Sequence, residues 1–297
     1  MSFPAFASEE DVEALSSGIR VSAVLDRVQG IAHLVITRAE EHNAIDPAFV
    51  ADLRAAALAV AAAGDQVRVL LIRAEGPDFT VGGDLHHFQG HLHRLAAELE
   101  SMVEPFHEAL TVIAELPVPV VCAVNGAAAG GGLGILWCAD IIVASENAKF
   151  ITAFSKLGVS GDGGSSWYLP RMVGQVRALE LMLESPLLDA KAALAYGLVT
   201  RVVPDDALSH EAEQTALRLA HGPVFSMGIQ RRLVRQAMGR TLAAGFAAEL
   251  DAMNQSGDTA DAAEGMKAFI VRRQPVFGGA SGAHSDGSSE IVTGGER

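Results

Sequence analysis

The stretch that decides the reading of this chain is Pro119-Val-Val-Cys-Ala-Val-Asn-Gly-Ala-Ala-Ala-Gly130-Gly-Gly-Leu-Gly134. It lies within a span, Leu116 to Ala139, that carries no charged residue. Val118 to Val124 is a short apolar run rich in β-branched residues and predicts a buried strand. Asn125-Gly126 breaks the run, three consecutive glycines follow, and Leu133-Gly-Ile-Leu-Trp137 reads as the first turns of a buried helix. A strand, a glycine turn and a helix start together present bare backbone N–H groups at a helix N-terminus. Such a place suits an anion, a phosphate or an oxyanion that develops during a reaction.

The rest of the chain narrows the choice. It has 297 residues, 49% of them hydrophobic, enough to bury a large core as one domain or two. A formal charge of −14 argues against general nucleic-acid binding and against an anionic membrane surface. The charge-free span does not read as a membrane helix, because Pro117, Pro119, Asn125 and five glycines interrupt it. Met1 to Arg20 is acidic and lacks a cationic-then-apolar signal pattern. Cys122 and Cys138, both in apolar surroundings, read as buried thiols of a reducing compartment, and no metal-ligand spacing stands out. The expectation is a soluble, cytoplasmic protein without a metal.

Strand and helix signals alternate over the first two-thirds, which predicts an α/β class. Val21–Leu25 and Ile31–Thr37 form a hairpin with Gln29-Gly30 at its turn. An alanine-rich helix spans 47–63, with Asp46 as cap and Pro47 at its first position. Val67–Arg73 is a buried strand, 93–115 a long amphipathic helix, and Asp140–Ser145 and Lys149–Thr152 further strands. From about Gln175 the pattern turns helical, at 175–184, 189–195 and 207–220, and stays so to about 276. This divides the chain into a loosely held N-terminus (1–20), a core (21–205), a helical C-terminal subdomain (206–278) and a disordered Gly/Ser-rich tail (279–297).

Two glycine turns, Val81-Gly82-Gly83-Asp84 and Gly130-Gly131-Gly132, each follow a predicted strand. N–H groups converging from two such turns are the means of building an oxyanion hole for a thioester or ester carbonyl. Tight turn packing explains glycine pairs equally well. Neither turn carries a phosphate fingerprint: G-x-x-x-x-G-K is absent, as is G-x-G-x-x-G with a downstream acid.

The order of the segments carries a resemblance. Asn43-Ala-Ile, Asp78-Phe-Thr-Val-Gly-Gly-Asp-Leu85, Pro117 to Gly132, Ala139 to Ser145, Phe154-Ser-Lys-Leu-Gly-Val-Ser-Gly-Asp-Gly-Gly164, Leu169-Pro-Arg-Met-Val-Gly174, Ala193 to Val199, Glu264 to Phe269 and Arg272 to Phe277 follow one another as in the crotonase, or enoyl-CoA hydratase/isomerase, superfamily. The chain resembles that family over about residues 21–277. The resemblance implies a crotonase-like spiral of ββα units with a helical C-terminal trimerisation region, assembled as a homotrimer or dimer of trimers. It implies an acyl-CoA thioester substrate, with coenzyme A as part of that substrate and no prosthetic group.

By resemblance, the oxyanion donors are the N–H groups of Gly83 and Gly131. CoA is expected around His42, Ala44, Val81, Gly83 and Leu85, with Phe269 and Arg273 near its adenine and phosphate, often from a neighbouring subunit. The family's cation beside the CoA phosphates falls in the acidic stretch Ala39-Glu40-Glu41 here, which leaves Arg38 and Arg94 as substitutes. Both glutamates of the hydratases are missing: Gly134 and Phe154 stand in their places. Asp162 remains. Alone it reads as a turn former or a cap for a helix starting near Ser165; by resemblance it is the acid/base of isomerases or the nucleophile of 4-chlorobenzoyl-CoA dehalogenase. His107 is the second candidate, aligned by its distance from Pro119 with a helix histidine of that dehalogenase. His86 and His87 face either the acyl pocket or solvent, and Trp167 and Tyr168 are expected in the core. The sum is an isomerase acting through an oxyanion-stabilised enolate, with Asp162, Gly83, Gly131 and His107 as its catalytic groups.

Overall fold

The computed structural model describes residues 11–278; the expected tail at 279–297 and the first ten residues lie outside them. The elements run β1 (Val12–Ser17), β2 (Val21–Asp26), β3 (Ile31–Ile36), α1 (Pro47–Ala62), β4 (Val69–Ala74), α2 (Leu85–Gln89), α3 (Leu95–Glu115) and β5 (Val120–Val124). They continue with β6 (Ala127–Ala129), α4 (Leu133–Trp137), β7 (Ile141–Ser145), β8 (Lys149–Ile151), α5 (Phe154–Leu157), α6 (Ser165–Val173), α7 (Gln175–Glu184) and β9 (Leu188–Asp189). The last are α8 (Ala190–Tyr196), β10 (Arg201–Val203), α9 (Leu208–Ala220), α10 (Val224–Ala237), α11 (Leu242–Gly257) and α12 (Ala260–Ile270).

Seven strands form the main sheet in the order β1-β2-β3-β4-β5-β7-β10. The β1–β2–β3 meander is antiparallel and every later neighbour pairs in parallel. Alternate residues feed two cores. Leu34, Leu70, Ile72, Val120 and Cys122 face α1 and α3. Ile31, Val69, Leu71, Val121 and Val143 face α9, which answers with Leu208, Ala212, Ala216 and Ala220 at every fourth position. Covering both faces is why the strands read as unbroken apolar runs. Asp46 caps α1 as expected, accepting from the Phe49 N–H at 2.8 Å.

A second, three-stranded sheet has the order β6-β8-β9. Asn125 and Gly126 alone separate β5 from β6, so the chain leaves the large sheet and enters the small one within two residues. Gly126 takes a left-handed φ of 50° there, and a β-carbon on it would meet the Asp78 backbone at 2.9 Å, a space open to glycine alone.

Several expectations need correction. Residues 12–17 are a strand paired with β2, so the N-terminus is not loose throughout its first twenty residues. The helical last third contains β9 and β10, each too short to show a period. Dividing core from C-terminal subdomain at 205/206 cuts α9 from the sheet face that it buries. The α10 helix is anchored there too. Arg231, nearly inaccessible, pairs with Asp140 at 2.7 Å and donates to the carbonyls of Ile113, Ala114, Leu116 and Cys138. Arg231→Ala should cost about 3 kcal/mol, since it strips a part-buried ion pair and orphans carbonyls while Arg235 still holds Asp140; urea unfolding reads this as a lower midpoint.

Under α9, His33 is buried, and burial together with the Arg73 charge pushes its pKa down to about 4. The native imidazole is therefore neutral at pH values where the unfolded one, at about 6.5, has begun to bind a proton. A depressed folded pKa gives stability that is fully present above 6.5 and is lost as pH falls towards 4. The full loss is about 3 kcal/mol. Thermal melts between pH 7 and pH 4 should show this slope, and His33→Asn should flatten it.

Candidate active site

The two glycine turns lie side by side because their flanking strands pair. The Thr80 N–H donates to the Ala127 carbonyl at 2.9 Å, and the Ala129 N–H to the Thr80 carbonyl at 3.0 Å. Gly82 takes φ 84°, and a β-carbon on it would meet the Ala129 oxygen at 2.9 Å. The Ile45 N–H donates to the Gly82 carbonyl and the Asp84 N–H to the Ile45 carbonyl. Alternation along this extended backbone turns the Gly83 N–H to the opposite side. Gly131 is in the first turn of the short 3₁₀ segment Gly130–Gly132, where N–H groups have no intrahelical acceptor. Both glycines line one cavity of about 450 Å³.

That cavity is largely apolar. One wall is the α3 face bearing Leu99, Met102, Val103, Phe106 and His107; α2 covers it with Leu85 and Phe88. Phe154 lines it too and brings no proton-transfer group. Asp162 enters from the loop before α6. Its Oδ1 lies 2.6 Å from His107 Nε2 and accepts from the Gly163 N–H. Its Oδ2 lies 3.0 Å from the point where a Gly131 β-carbon would sit. The side chain of Asp162 is 26% exposed and that of His107 48%, so the carboxylate is paired and reachable rather than sealed among apolar groups.

Asp162 does form a turn, its carbonyl accepting from the Ser165 N–H, but its side chain is not the helix cap. Gly164 is the cap residue of α6, with no side-chain cap bond, and Asp162 gives this helix only its backbone carbonyl, to the Ser165 N–H. Gly134, where a hydratase carries a glutamate by resemblance, is filled from outside. A β-carbon there would fall 2.8 Å from the carbonyl carbon of Gly163 and closer still to its oxygen. Gly163 has φ 60°, and a β-carbon on it would in turn run into the Gly131 carbonyl oxygen, so the two glycine segments approach closely here. The loop that delivers Asp162 occupies the volume that a side chain at 134 would need.

Of the expected CoA contacts, Val81, Gly83 and Leu85 line the cavity. His42 and Ala44 flank it: the His42 carbonyl accepts from the Val81 N–H, its imidazole meets Asp78 at 2.7 Å, and the Ala44 carbonyl accepts from Arg38. Phe269 and Arg273 are not among the residues lining it. Phe269 is 86% exposed, and Arg273 is paired to Glu264, whose carboxyl its hydrogen bonds hold down to about 2.

Arg38 is corrected as a phosphate ligand. It is half-buried and binds Asp84 at 2.8 Å and the Ala44 carbonyl at 2.9 Å. Burial works to raise the Asp84 pKa, but the His87 N–H and Arg38 hold it below the usual carboxylate range. Asp84 thus fixes the start of α2. Arg94 is exposed and pairs with Glu98 at 3.0 Å. Trp167 leaves the core for the surface, with the Arg171 guanidinium 4.0 Å above its ring; Tyr168 is half-buried beside Cys138. Both cysteines are buried free thiols, and burial pushes Cys138 up to about 11.

Two features escaped the sequence reading. Lys156 lines the cavity, as a lone lysine on a four-residue helix with no pattern to mark it. His87, His91 and Glu98 bring potential ligand atoms within 4.8 Å behind α2. Each already has a partner: His87 Nε2 meets Glu98 at 2.8 Å, Arg94 takes the other Glu98 oxygen, and His91 Nδ1 donates to the His87 carbonyl. Among the described residues, no helix is long and apolar enough to cross a membrane.

Known proteins resemble this chain over most of its length. The enoyl-CoA hydratase/isomerase family profile matches residues 26–280. A 1,2-epoxyphenylacetyl-CoA isomerase of Escherichia coli K12 is 37% identical over 86% of this chain and 98% of its own length. A 4-chlorobenzoyl coenzyme A dehalogenase of Arthrobacter is 29% identical over 73% of this chain and 79% of its own. The crystal structure of an enoyl-CoA hydratase from Polaromonas sp. JS666 superposes with a TM-score of 0.78 at 28% identity, covering 89% of this chain and 98% of that one. The architecture expected from the sequence, the α/β crotonase fold with C-terminal helices, is the one found.

Proposed function

Because the chain belongs to the enoyl-CoA hydratase/isomerase family, we propose that it is an isomerase that moves a proton between carbons of an acyl-CoA thioester. The thioester oxygen sits between the N–H groups of Gly83 and Gly131, which stabilise the enolate; one such donor is worth about 2.7–4 kcal/mol in a transition state. Asp162 takes a proton from one carbon and delivers one, open to exchange with solvent, to another. CoA enters as part of the substrate, and no prosthetic group is needed. One observation carries this reading: Asp162 and its partner His107 are the acid/base groups beside the oxyanion glycines, and the Gly163 backbone fills the place of a glutamate at 134. The isomerase relative supports the same choice.

The protein works in the cytoplasm and assembles as a homotrimer or dimer of trimers in this proposal. Leu242, Phe246, Leu250 and Met253 form an exposed stripe along α11, and Met266, Phe269 and Ile270 extend it on α12, an apolar face of the kind that a second copy covers. There Phe269 meets a neighbour's CoA.

A second reading has its own support. The Asp162–His107 pair, with the dehalogenase relative, suits nucleophilic attack of the carboxylate on an aromatic CoA ester. A screen of 2-enoyl, 3-enoyl and aryl CoA thioesters in deuterated water, followed by mass spectrometry, separates the two. Carbon-bound deuterium with double-bond migration and no adduct supports the isomerase. An aryl ester trapped on Asp162 in a single turnover replaces it with the second reading. Tight thioester binding without exchange or turnover for any ester makes the chain an inactive binding member.

A further inference from the structure

Histidines stand at positions 86, 87, 91 and 93, on α2 and in the chain just after it. Two of them converge on one acid. His87 belongs to α2, His91 to the turn after it, and Glu98 to the first turn of α3. One ring nitrogen of each of these histidines and one Glu98 oxygen lie within 4.8 Å of one another. The two rings are neighbours, with centroids 4.6 Å apart. The Glu98 side chain is only 10% exposed, a burial that carboxylates rarely reach unless they are paired. Its oxygens meet His87 Nε2 at 2.8 Å and Arg94 at 3.0 Å. His91 Nδ1 lies 2.7 Å from the His87 carbonyl oxygen. A carbonyl only accepts, so this nitrogen carries the ring's proton, and the lone pair of the neutral ring is left at Nε2. Metal-ligating histidines are arranged in this way, one N–H donated to a carbonyl and the other nitrogen bare.

We propose that His87, His91 and Glu98 form a site for a divalent transition-metal ion of the zinc class, which ties α2 to α3. Two imidazoles and one carboxylate suit zinc and its neighbours, whereas magnesium and calcium take oxygen ligands. Zinc bonds of about 2.0–2.2 Å in a tetrahedral arrangement hold the ligand atoms roughly 3.3 Å apart. Entry of the ion replaces the His87–Glu98 hydrogen bond and brings the three atoms to that common spacing. His87 then carries its proton on Nδ1 and gives its Nε2 lone pair to the ion. Glu98 offers the oxygen that had accepted from His87, Arg94 keeps the other, and water fills the fourth position. None of the three ligands is among the residues lining the acyl cavity, but Phe88, next to His87, and Leu99, next to Glu98, both are. The ion therefore acts on the acyl cavity from outside, fixing its cover to its wall, and takes no part in the chemistry. The assignment stands apart from the isomerase reading, and it replaces the expectation of a protein without a metal.

The test is a calorimetric titration of zinc chloride into untagged full-length protein freed of metal by a chelator. Wild type should bind one ion per chain and should take up magnesium at no comparable concentration. Glu98→Gln and His91→Ala should each weaken zinc binding about a hundredfold, the upper end of what loss of a supporting partner costs, because here a ligand itself is lost. Glu98→Gln keeps an acceptor for His87 and serves as the second line if His91→Ala misfolds. A double variant, His86→Ala with His93→Ala, removes two exposed imidazoles outside the cluster and should bind as wild type does. Hydrogen exchange read by mass spectrometry needs no variant: zinc should slow it in peptides from Leu85 to Leu99 and leave the rest of the chain unchanged. Wild type that takes up no zinc overturns the site. So does an affinity unchanged in a folded ligand variant, a loss in the double variant, or protection elsewhere in the chain, each of which leaves an adventitious ion only.

Discussion

Asp162→Asn should slow proton transfer by about a thousandfold, the middle of the range for a positioned acid or base, while acyl-CoA binding stays near wild type. That loss corresponds to about 4 kcal/mol of barrier. Asparagine keeps the shape and an acceptor oxygen for the Gly163 N–H, so the loop holds its place against Gly134 and Gly131. It cannot take a proton from carbon. In the proposed reading, binding depends on the backbone donors of Gly83 and Gly131 and on the apolar wall, none of which this substitution touches. The measurements are deuterium exchange rates for the turnover and a direct titration of CoA thioester for the affinity. Normal turnover in this variant would remove Asp162 from the mechanism.

Gly134→Glu should not convert the enzyme into a hydratase. A side chain at 134 drives into the backbone carbonyl of Gly163, on a loop that lies close against the glycine triplet. Overpacking of this kind costs about 1–3 kcal/mol, and more where backbone rather than a flexible side chain must move. Relief comes from displacing either the Asp162 loop or the glycine triplet, so isomerisation should fall with stability. A melting curve and a crotonyl-CoA hydration assay check this together. A variant that melts like wild type and hydrates its substrate would show that the loop has another path.

How much of this was legible depends on whether the signal was local. The hairpin, α1 with its Asp46 cap, and the glycine-flanked strand β5 each announce themselves within a dozen residues. The two glycine turns were legible because tight backbone approach at a turn needs small residues. The role of Arg38 was not: a free cation and one already committed to Asp84 look alike until residues 46 apart in sequence are brought within 2.8 Å. Trp167 escaped for a related reason, since a guanidinium four residues on supplies at the surface what a core would otherwise supply. The short strands β9 and β10 owe their conformation to their neighbours rather than to their own two and three residues. Phe269 and Arg273 were expected at the adenine and phosphate of CoA, often from a neighbouring subunit, and within one chain they are not among the residues lining the cavity.

The passage from β5 to β6 has one more consequence. The peptide at Gly131 follows from an inner strand of the large sheet with no slack: β5 ends at Val124 and β6 ends at Ala129, hydrogen-bonded to Thr80. No hinge is available between scaffold and site. Amides such as that of Ala129 should exchange with solvent only when the whole molecule unfolds, not by local opening. The proposed oxyanion hole would therefore inherit the cooperativity of the core, and a destabilised variant should lose activity in proportion to the unfolded fraction, without first passing through a folded but slack enzyme.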